Sequence, residues 1–453
     1  MKTVAIIAPD FAPSNHPPAL RVRFFASHLA EFGWRPIIIT TKPASYEWTI
    51  DQENLQLLPP SLEVIRTEAF SPKFTRIFGI GDLGLRTMGQ HWRALKQLCR
   101  RERVDALFIP VPPNYPMLLG RLAHARLGLP YVVDYIDPWV SDYYRTVPRE
   151  RRLPKVGASA WLARRLEPIA LRRAAQITGV SLGTTDSVVS RYRWLGREQA
   201  TEIPYGGEPA DFDYARAHPR SENSWGTDGL LHFGYIGAYT VAMAPVLRAL
   251  FAAVKLGRDR RPDFFGKLRL HFVGTNYGGS KPLVLPWARQ AGIEDMVEER
   301  PQRVAYLEAL QLLTRCHALV IVGSEEAHYT ASKVFPYILA RRPVLAILHA
   351  ESSATAILRQ TRACDPIVFR SSPELEGKAA EILAALEKLM VLPHDFAPPT
   401  RWEDFEPYTT RAMTGRLAAV LDRAIGIEAA DTIGVQATKS QQEGGPACPS
   451  AAH

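Results

Sequence analysis

Short runs of apolar, β-branched residues alternate with longer amphipathic stretches along most of this chain. Thr3–Ala8 reads as a buried strand, Ala19–Phe32 as a helix and Arg35–Thr40 as the next strand. Arg86–Arg103 then carries a helical period, Asp105–Ile109 a strand, Met117–Leu127 a helix and Pro130–Asp134 a strand. A basic helix near Ala158–Ala174, a strand Gln176–Val180 and a helix Thr184–Trp194 close this first series. Strands that alternate with helices pair in parallel through right-handed crossovers. A polar stretch with Gly206, Gly207, Pro209, Pro219, Asn223, Gly226 and Gly229 breaks the rhythm.

A second series follows. Strands are expected at His232–Ile236, Leu268–Val273, Ala318–Val322 and Pro343–Leu348. Helices are expected at Pro245–Leu256, Pro282–Gln290, Val304–Leu313, Ala331–Leu339 and Pro373–Leu389. The pattern predicts an α/β chain of two doubly wound domains, 1–215 and 230–395, joined by a linker at 216–229. A crossing segment and last helix occupy 396–426, and the aperiodic 427–453 reads as a disordered tail. Ligands of such sheets bind beyond the carboxyl ends of the strands, here in the cleft between the domains.

At 453 residues the chain is long enough for two such cores, and its 46% hydrophobic and 22% charged residues are those of a globular protein. No apolar run reaches the roughly 18–20 residues that span a bilayer, and the opening reads as a strand rather than a signal. Cys99, Cys316, Cys364 and Cys448 are far apart, with no metal-ligand spacing, so no metal is expected and a reducing cytoplasm fits.

Dividing the charge is informative: residues 1–220 hold 30 Lys+Arg against 21 Asp+Glu, and 221–453 hold 25 of each. The densest part, 151–200, has ten basic and three acidic residues, among them Arg151, Arg152, Lys155, Arg164, Arg165, Arg172 and Arg173. That distribution suits peripheral contact with an anionic membrane or a phosphate-bearing substrate, and equally a solvated helix face. No recognition motif accompanies it, so nucleic acid is not an expected partner. Oligomeric state is left open.

A nicotinamide enzyme would need GxGxxG after its first strand. Here Pro9-Asp10-Phe11-Ala12-Pro13-Ser14-Asn15-His16-Pro17-Pro18 holds no glycine, and no GxxxxGK[ST] occurs. The residues that do form a pattern are APDFAPSNHPPALRVRFFASHLAEFGWRPIIIT at the start, VDYIDPW (133–139), GYIGAYT (234–240), HFVGTNYGG (271–279), and VEERPQRVAYLEALQLLTRCHALVIVGSEE followed by ASKVFPYILARRPVLAI (331–347). In their order and spacing these resemble family 4 glycosyltransferases over roughly residues 1–425.

The resemblance implies a GT-B fold, two Rossmann-like domains facing each other across a cleft. It also implies glycosyl transfer from a nucleotide sugar, UDP- or GDP-linked, to a sugar acceptor, with retention and without a bound metal or other cofactor. Donor contacts are expected from Gly237, Thr275, Ser324, Glu325, Ser332 and Lys333. Gly237 permits close backbone approach. Lys333, at a helix start, would neutralise the leaving diphosphate. The acceptor side is expected at Asn15, His16, Arg21, Asp137 and Trp139, with Arg23, Tyr143 and Tyr144 nearby. His16, Asp134 and Asp137 are candidate proton-handling or hydroxyl-orienting groups. Equally, Asp134 and Asp137 would serve as turn caps, His16 as an ordinary loop residue and Lys333 as a surface charge.

Two departures stand out. Where the family often carries two glutamates seven residues apart, this chain has His328 and Pro336. Proline offers no side-chain acceptor to ribose, which leaves Glu325 or Glu326 as substitutes. The basic pair that often follows the first strand of the second domain is replaced by Thr240-Val241-Ala242-Met243. A GT-B-like binding or scaffold protein without catalysis, or a nucleotide-sugar epimerase, therefore remain alternatives.

Overall fold

The computed structural model describes residues 1–427 apart from 49, 77–80, 141–153, 221–224, 226, 227, 277, 278 and 326–331, and the side chains of 154–156. Two parallel sheets organise it. The first comprises β1 (Lys2–Ile7), β2 (Trp34–Thr41), β3 (Glu63–Thr67), β4 (Ala106–Val111), β5 (Tyr131–Tyr135), β6 (Gln176–Gly179) and β7 (Ala200–Glu202), in the order β3-β2-β1-β4-β5-β6-β7. The second comprises β8 (Leu231–Ile236), β9 (Leu268–Val273), β10 (Val297–Arg300), β11 (Ala318–Val322), β12 (Val344–His349) and β13 (Ile367–Phe369), in the order β10-β9-β8-β11-β12-β13. Val4, Ala5, Ile6 and Ile7 are all buried, as are the five residues of β11, because helices cover both faces. The expected pair of doubly wound domains is observed.

In each sheet the order reverses beside the first strand, between β1 and β4 and between β8 and β11, which opens a crevice at the strands' carboxyl ends. Helices seal the faces. Val246, Leu247, Leu250, Phe251 and Val254 of the helix Ala244–Arg260 are fully buried in the second core. Each such side chain contributes about 1.5–3 kcal/mol by leaving water.

Several boundaries shift for local reasons. The helix expected at Arg86–Arg103 begins at Leu83, because the Asp82 carboxylate caps it by accepting from Leu85 N at 2.9 Å. The helix expected over Thr184–Trp194 spans Leu182–Val189, capped by the Ser181 hydroxyl. The polar stretch after Gly206 contains a helix, Pro209–Ala217, whose Phe212 and Ala215 lie in the second domain's core against the helix Tyr306–Arg315. Packing of the second domain thus begins upstream of the boundary expected at 215.

The chain crosses between domains twice, side by side. Gly207 N donates to Tyr408 O and Thr410 N donates to Gly207 O, both at 2.9 Å. The last helix, Thr410–Ala424, then returns to the first domain. Its Met413, Leu417, Val420 and Leu421 pack with Val22, Phe25 and Leu29, and Asp422 accepts from Trp34 Nε1 at 3.0 Å. The tail expected from 427 lies, apart from Ile427, outside the described residues.

Candidate active site in the interdomain cleft

A cavity of about 240 Å³ lies where the two crevices face each other. The first domain contributes Asn15, Pro17, Leu20 and Phe24, and the crossing segment Tyr205–Glu208. The second contributes Ile236–Ala238 after β8, Gly274, Arg303–Tyr306, and Ser332, Lys333, Pro336 and Tyr337 around the helix Val334–Leu339.

Lys333 and Gly237 form one unit. The Lys333 ammonium donates to Tyr235 Oη at 2.7 Å and to Ala238 O at 3.0 Å, and lies 4.6 Å from the centre of the Tyr235 ring. Burial lowers its pKa to about 7, and among the described residues no carboxylate pairs with it. Gly237 has φ +143°, and a Cβ there would overlap the Lys333 side chain, so only glycine lets the lysine cross the turn. The result is a cation poised at the wall of an apolar cleft, where an anion would draw a proton onto it.

The other expected donor residues divide. Ser332 lines the cavity. Thr275 does not: it is fully buried and its hydroxyl donates to Glu299 at 2.5 Å, while the same carboxylate accepts from the backbone N–H groups of Leu283, Val284 and Leu285. Ser324 is buried, and Glu325 is exposed and accepts from the Ser372 hydroxyl. Pro336 lines the cavity and offers no side-chain acceptor there. Glu326 and His328 lie outside the described residues.

On the first domain's side, Asn15 reaches across the cleft. Its Nδ2 donates to Val304 O at 3.2 Å, and Arg303 donates to its Oδ1 at 2.8 Å and its carbonyl at 2.5 Å. Arg303 is a cleft cation that the sequence reading passed over. It stands in the quoted VEERPQRVAYL stretch, but only the facing Asn15 gives it meaning. His16 is adjacent but does not line the cavity; it stacks on Trp48 at 4.8 Å and meets Asp10 Oδ2 at 3.4 Å.

Arg21 and Asp134 pair with each other. Arg21 donates through Nε and Nη2 to both Asp134 oxygens, at 2.7 and 2.9 Å, and also to the carbonyls of Ile203 and Pro204. Asp134 accepts a third bond from Thr178 at 2.6 Å and is 0% exposed. Each satisfies the other's buried charge, so neither presents a free group to an acceptor. Arg23 is likewise spent on Asp211, at 2.5 and 3.0 Å, and Tyr306 donates to the same carboxylate at 2.7 Å. Asp137 remains exposed beyond β5, and Trp139 packs edge-to-face on Tyr115 at 5.2 Å. Tyr143 and Tyr144 lie outside the described residues.

A facing pair of doubly wound domains with a cation at the cleft wall is consistent with several ligand classes, and sequence comparison narrows them. Residues 18–206 match the glycosyl transferase 4-like domain. No curated protein matches the sequence. Among solved structures, a glycosyltransferase from Rickettsia africae ESF-5 is similar at 12% identity, covering 94% of this chain and 99% of its own, with a TM-score of 0.59. A UDP-forming α,α-trehalose-phosphate synthase from Burkholderia xenovorans is similar at 11% identity over 93% and 99%, with a TM-score of 0.59. A UDP co-structure of S. aureus MnaA is similar at 13% identity over 96% and 100%, with a TM-score of 0.51. At such identities the likeness establishes the GT-B fold across both domains.

Among the described residues, the cleft's cations stand on two segments of the second domain. With Thr240–Met243 offering none, positive charge comes from Lys333 beneath the β8 turn and from Arg303 before the Tyr306–Arg315 helix.

Proposed function

We propose that the chain transfers a sugar, with retention, from a UDP-linked donor to a glycan, glycolipid or small-molecule acceptor, working in the cytoplasm. The observation that carries this reading is the Lys333 ammonium, part-buried at the cleft wall with no carboxylate beside it among the described residues, and packed beneath the Gly237 turn. A diphosphate is the ligand that such a cation lacks: the negative oxygens would restore its charge and accept its hydrogen bonds. UDP is favoured over GDP because two similar structures are named for it. Arg303, released from Asn15, would supply the second cation.

In the step itself, the bond from the sugar's anomeric carbon to the diphosphate oxygen breaks and one to the acceptor oxygen forms on the same face. UDP leaves, and its phosphate oxygen takes the acceptor proton, so no protein nucleophile is needed. Lys333 stabilises the charge growing on the leaving group. His16, Asp137 and Trp139, at the first domain's rim, are the groups left to orient an acceptor once Asp134 and Arg21 are set aside.

A screen of nucleotide sugars by thermal shift tests the reading, because a ligand of the folded state raises its stability by RT ln(1 + [L]/Kd). UDP-sugars should raise the midpoint in wild type and less so in Lys333→Ala; no shift with any UDP- or GDP-linked donor would overturn it. Pro336 in the cleft wall supports a second reading, an epimerase or a non-catalytic binding protein. Incubating donor alone and finding its epimer, or finding binding without transfer to any acceptor, would favour that one.

A further inference from the structure

We propose that the donor site does not read the ribose 2′-hydroxyl, so that a 2′-deoxynucleoside diphosphate sugar is held at least as tightly as its UDP counterpart. This rests on the reading of Lys333 as the diphosphate's partner and adds the class of nucleotide that the site takes.

Pro336 stands three residues after Lys333, in the helix that Lys333 caps, and both line the cavity. Residues so spaced lie on one side of a helix. The sugar end of a donor has to reach the acceptor rim of the first domain, which leaves the nucleoside end to the walls of the second. A nucleoside joined to a diphosphate at Lys333 therefore passes over Pro336. The proline is half-buried and has nothing to give a hydroxyl. Its ring carries no polar atom and its nitrogen no proton, and its carbonyl accepts from Ala340 N at 3.0 Å.

The acceptors around it are already engaged. Glu208 is the one carboxylate among the described residues that line the cavity. It meets His28 Nε2 at 2.7 Å and accepts from Thr410 Oγ1 at 2.5 Å. Tyr337 Oη accepts from Ile236 N at 2.8 Å, and Tyr306 Oη donates to Asp211 at 2.7 Å. Ser332 adjoins Lys333, on the side of the phosphates. Leu20 and Phe24 of the first domain and Ile236 and Leu310 of the second make apolar wall.

A ribose hydroxyl gives up water in such a cleft, and one left without an acceptor weakens binding. A site built to hydrogen-bond a hydroxyl rejects the analogue that lacks it by orders of magnitude, whereas an apolar wall does not. 2′-Deoxyribose therefore loses nothing against Pro336. Thymidine diphosphate, whose sugar is 2′-deoxyribose, belongs to the accepted class beside UDP.

Calorimetric titration of the full chain with UDP and with 2′-deoxyuridine diphosphate isolates the one hydroxyl. Base and diphosphate are the same in both, so the contribution of Lys333 cancels in the ratio. The deoxynucleotide should bind at least as tightly as UDP. Pro336→Glu sets a carboxylate on the wall and should move the ratio of affinities about tenfold toward UDP, while Pro336→Ala keeps the wild-type ratio. Wild-type binding of UDP more than about threefold tighter than that of 2′-deoxyuridine diphosphate overturns the proposal. So does an unmoved ratio in a Pro336→Glu variant that keeps the wild-type thermal midpoint. Binding of neither nucleotide to the wild type would strike the diphosphate reading itself, and this inference with it; a ratio that favours UDP leaves that reading standing.

Discussion

Lys333 is the residue on which the donor site turns, and its titration gives a quantitative test. In the free protein its pKa stands at about 7, against an ordinary lysine value of 10.5, because burial penalises the charged form. A bound diphosphate demands the charged form. Between pH 6 and 8 the charged fraction falls from about nine-tenths to about one-tenth, so affinity for the donor should fall about tenfold. UDP-glucose suits the measurement, because its diphosphate has no ionisation near neutrality that would mask the lysine. Calorimetric titration at several pH values in buffers of differing ionisation heat would show weakening affinity and proton uptake on binding.

Lys333→Ala removes a charge-assisted contact of about 1.5–3 kcal/mol, or roughly 10–150-fold in Kd, and with it the pH dependence. Stability carries the same signature with its own sign. The folded pKa lies below the unfolded one, so unfolding takes up a proton between pH 7 and 10.5, and stability should rise with pH across that window. Affinity that is flat from pH 6 to 8 and the same in Lys333→Ala would refute the reasoning.

Gly237→Ala forces a side chain into φ +143° and against Lys333. Strain of about 1–3 kcal/mol should appear as a lower thermal midpoint together with weaker UDP-glucose binding; unchanged values for both would mean the turn is not constrained. Asp134→Asn leaves the Arg21 charge uncompensated in the first core and should lower unfolding free energy by about 3–5 kcal/mol in urea. A variant of full stability with lost turnover would restore Asp134 to catalysis. His28 is held between Glu208 and Glu31, each at 2.7 Å; burial opposes its charge, but these carboxylates outweigh it and raise its pKa. Its contribution is complete below the unfolded value of 6.5 and lost as pH rises through the higher folded value, so His28→Gln should flatten the fall in stability over that window. An unflattened profile would place the pH dependence elsewhere.

The residues that were legible in the sequence, and those that were not, differ for a physical reason. The central strands announce themselves as apolar runs because they are buried on both faces, and the helix Met117–Leu127 shows a helical period because one side of it is buried. The strands absent from the sequence reading are β3, β7, β10 and β13, and each is an edge strand. In β3 and β7 no residue is fully buried, so their side chains carry little of the apolar signal that burial writes into a sequence.

The site divides in the same way. Lys333 and Gly237 could be named from the turn after β8 and the start of a helix, since local geometry positions both. The Arg21–Asp134 pair, 113 residues apart, depends on every connection that carries the chain from the first helix through β2, β3 and β4 to β5; position at a strand end suggested reactivity where the fold uses neutralisation. Arg303 was invisible for the converse reason, because its partner Asn15 belongs to the other domain.

The central claim is that a nucleotide diphosphate occupies the cleft between the domains, over Gly237 and Lys333. Hydrogen exchange with and without saturating UDP tests it most directly. Protection should concentrate in the turn Gly237-Ala238, in Arg303–Tyr306, and across the helix Val334–Leu339, with Asn15 changing as Arg303 is redirected. Protection absent from these segments, or confined to the outer groove beside Trp287 and Lys255, would contradict it.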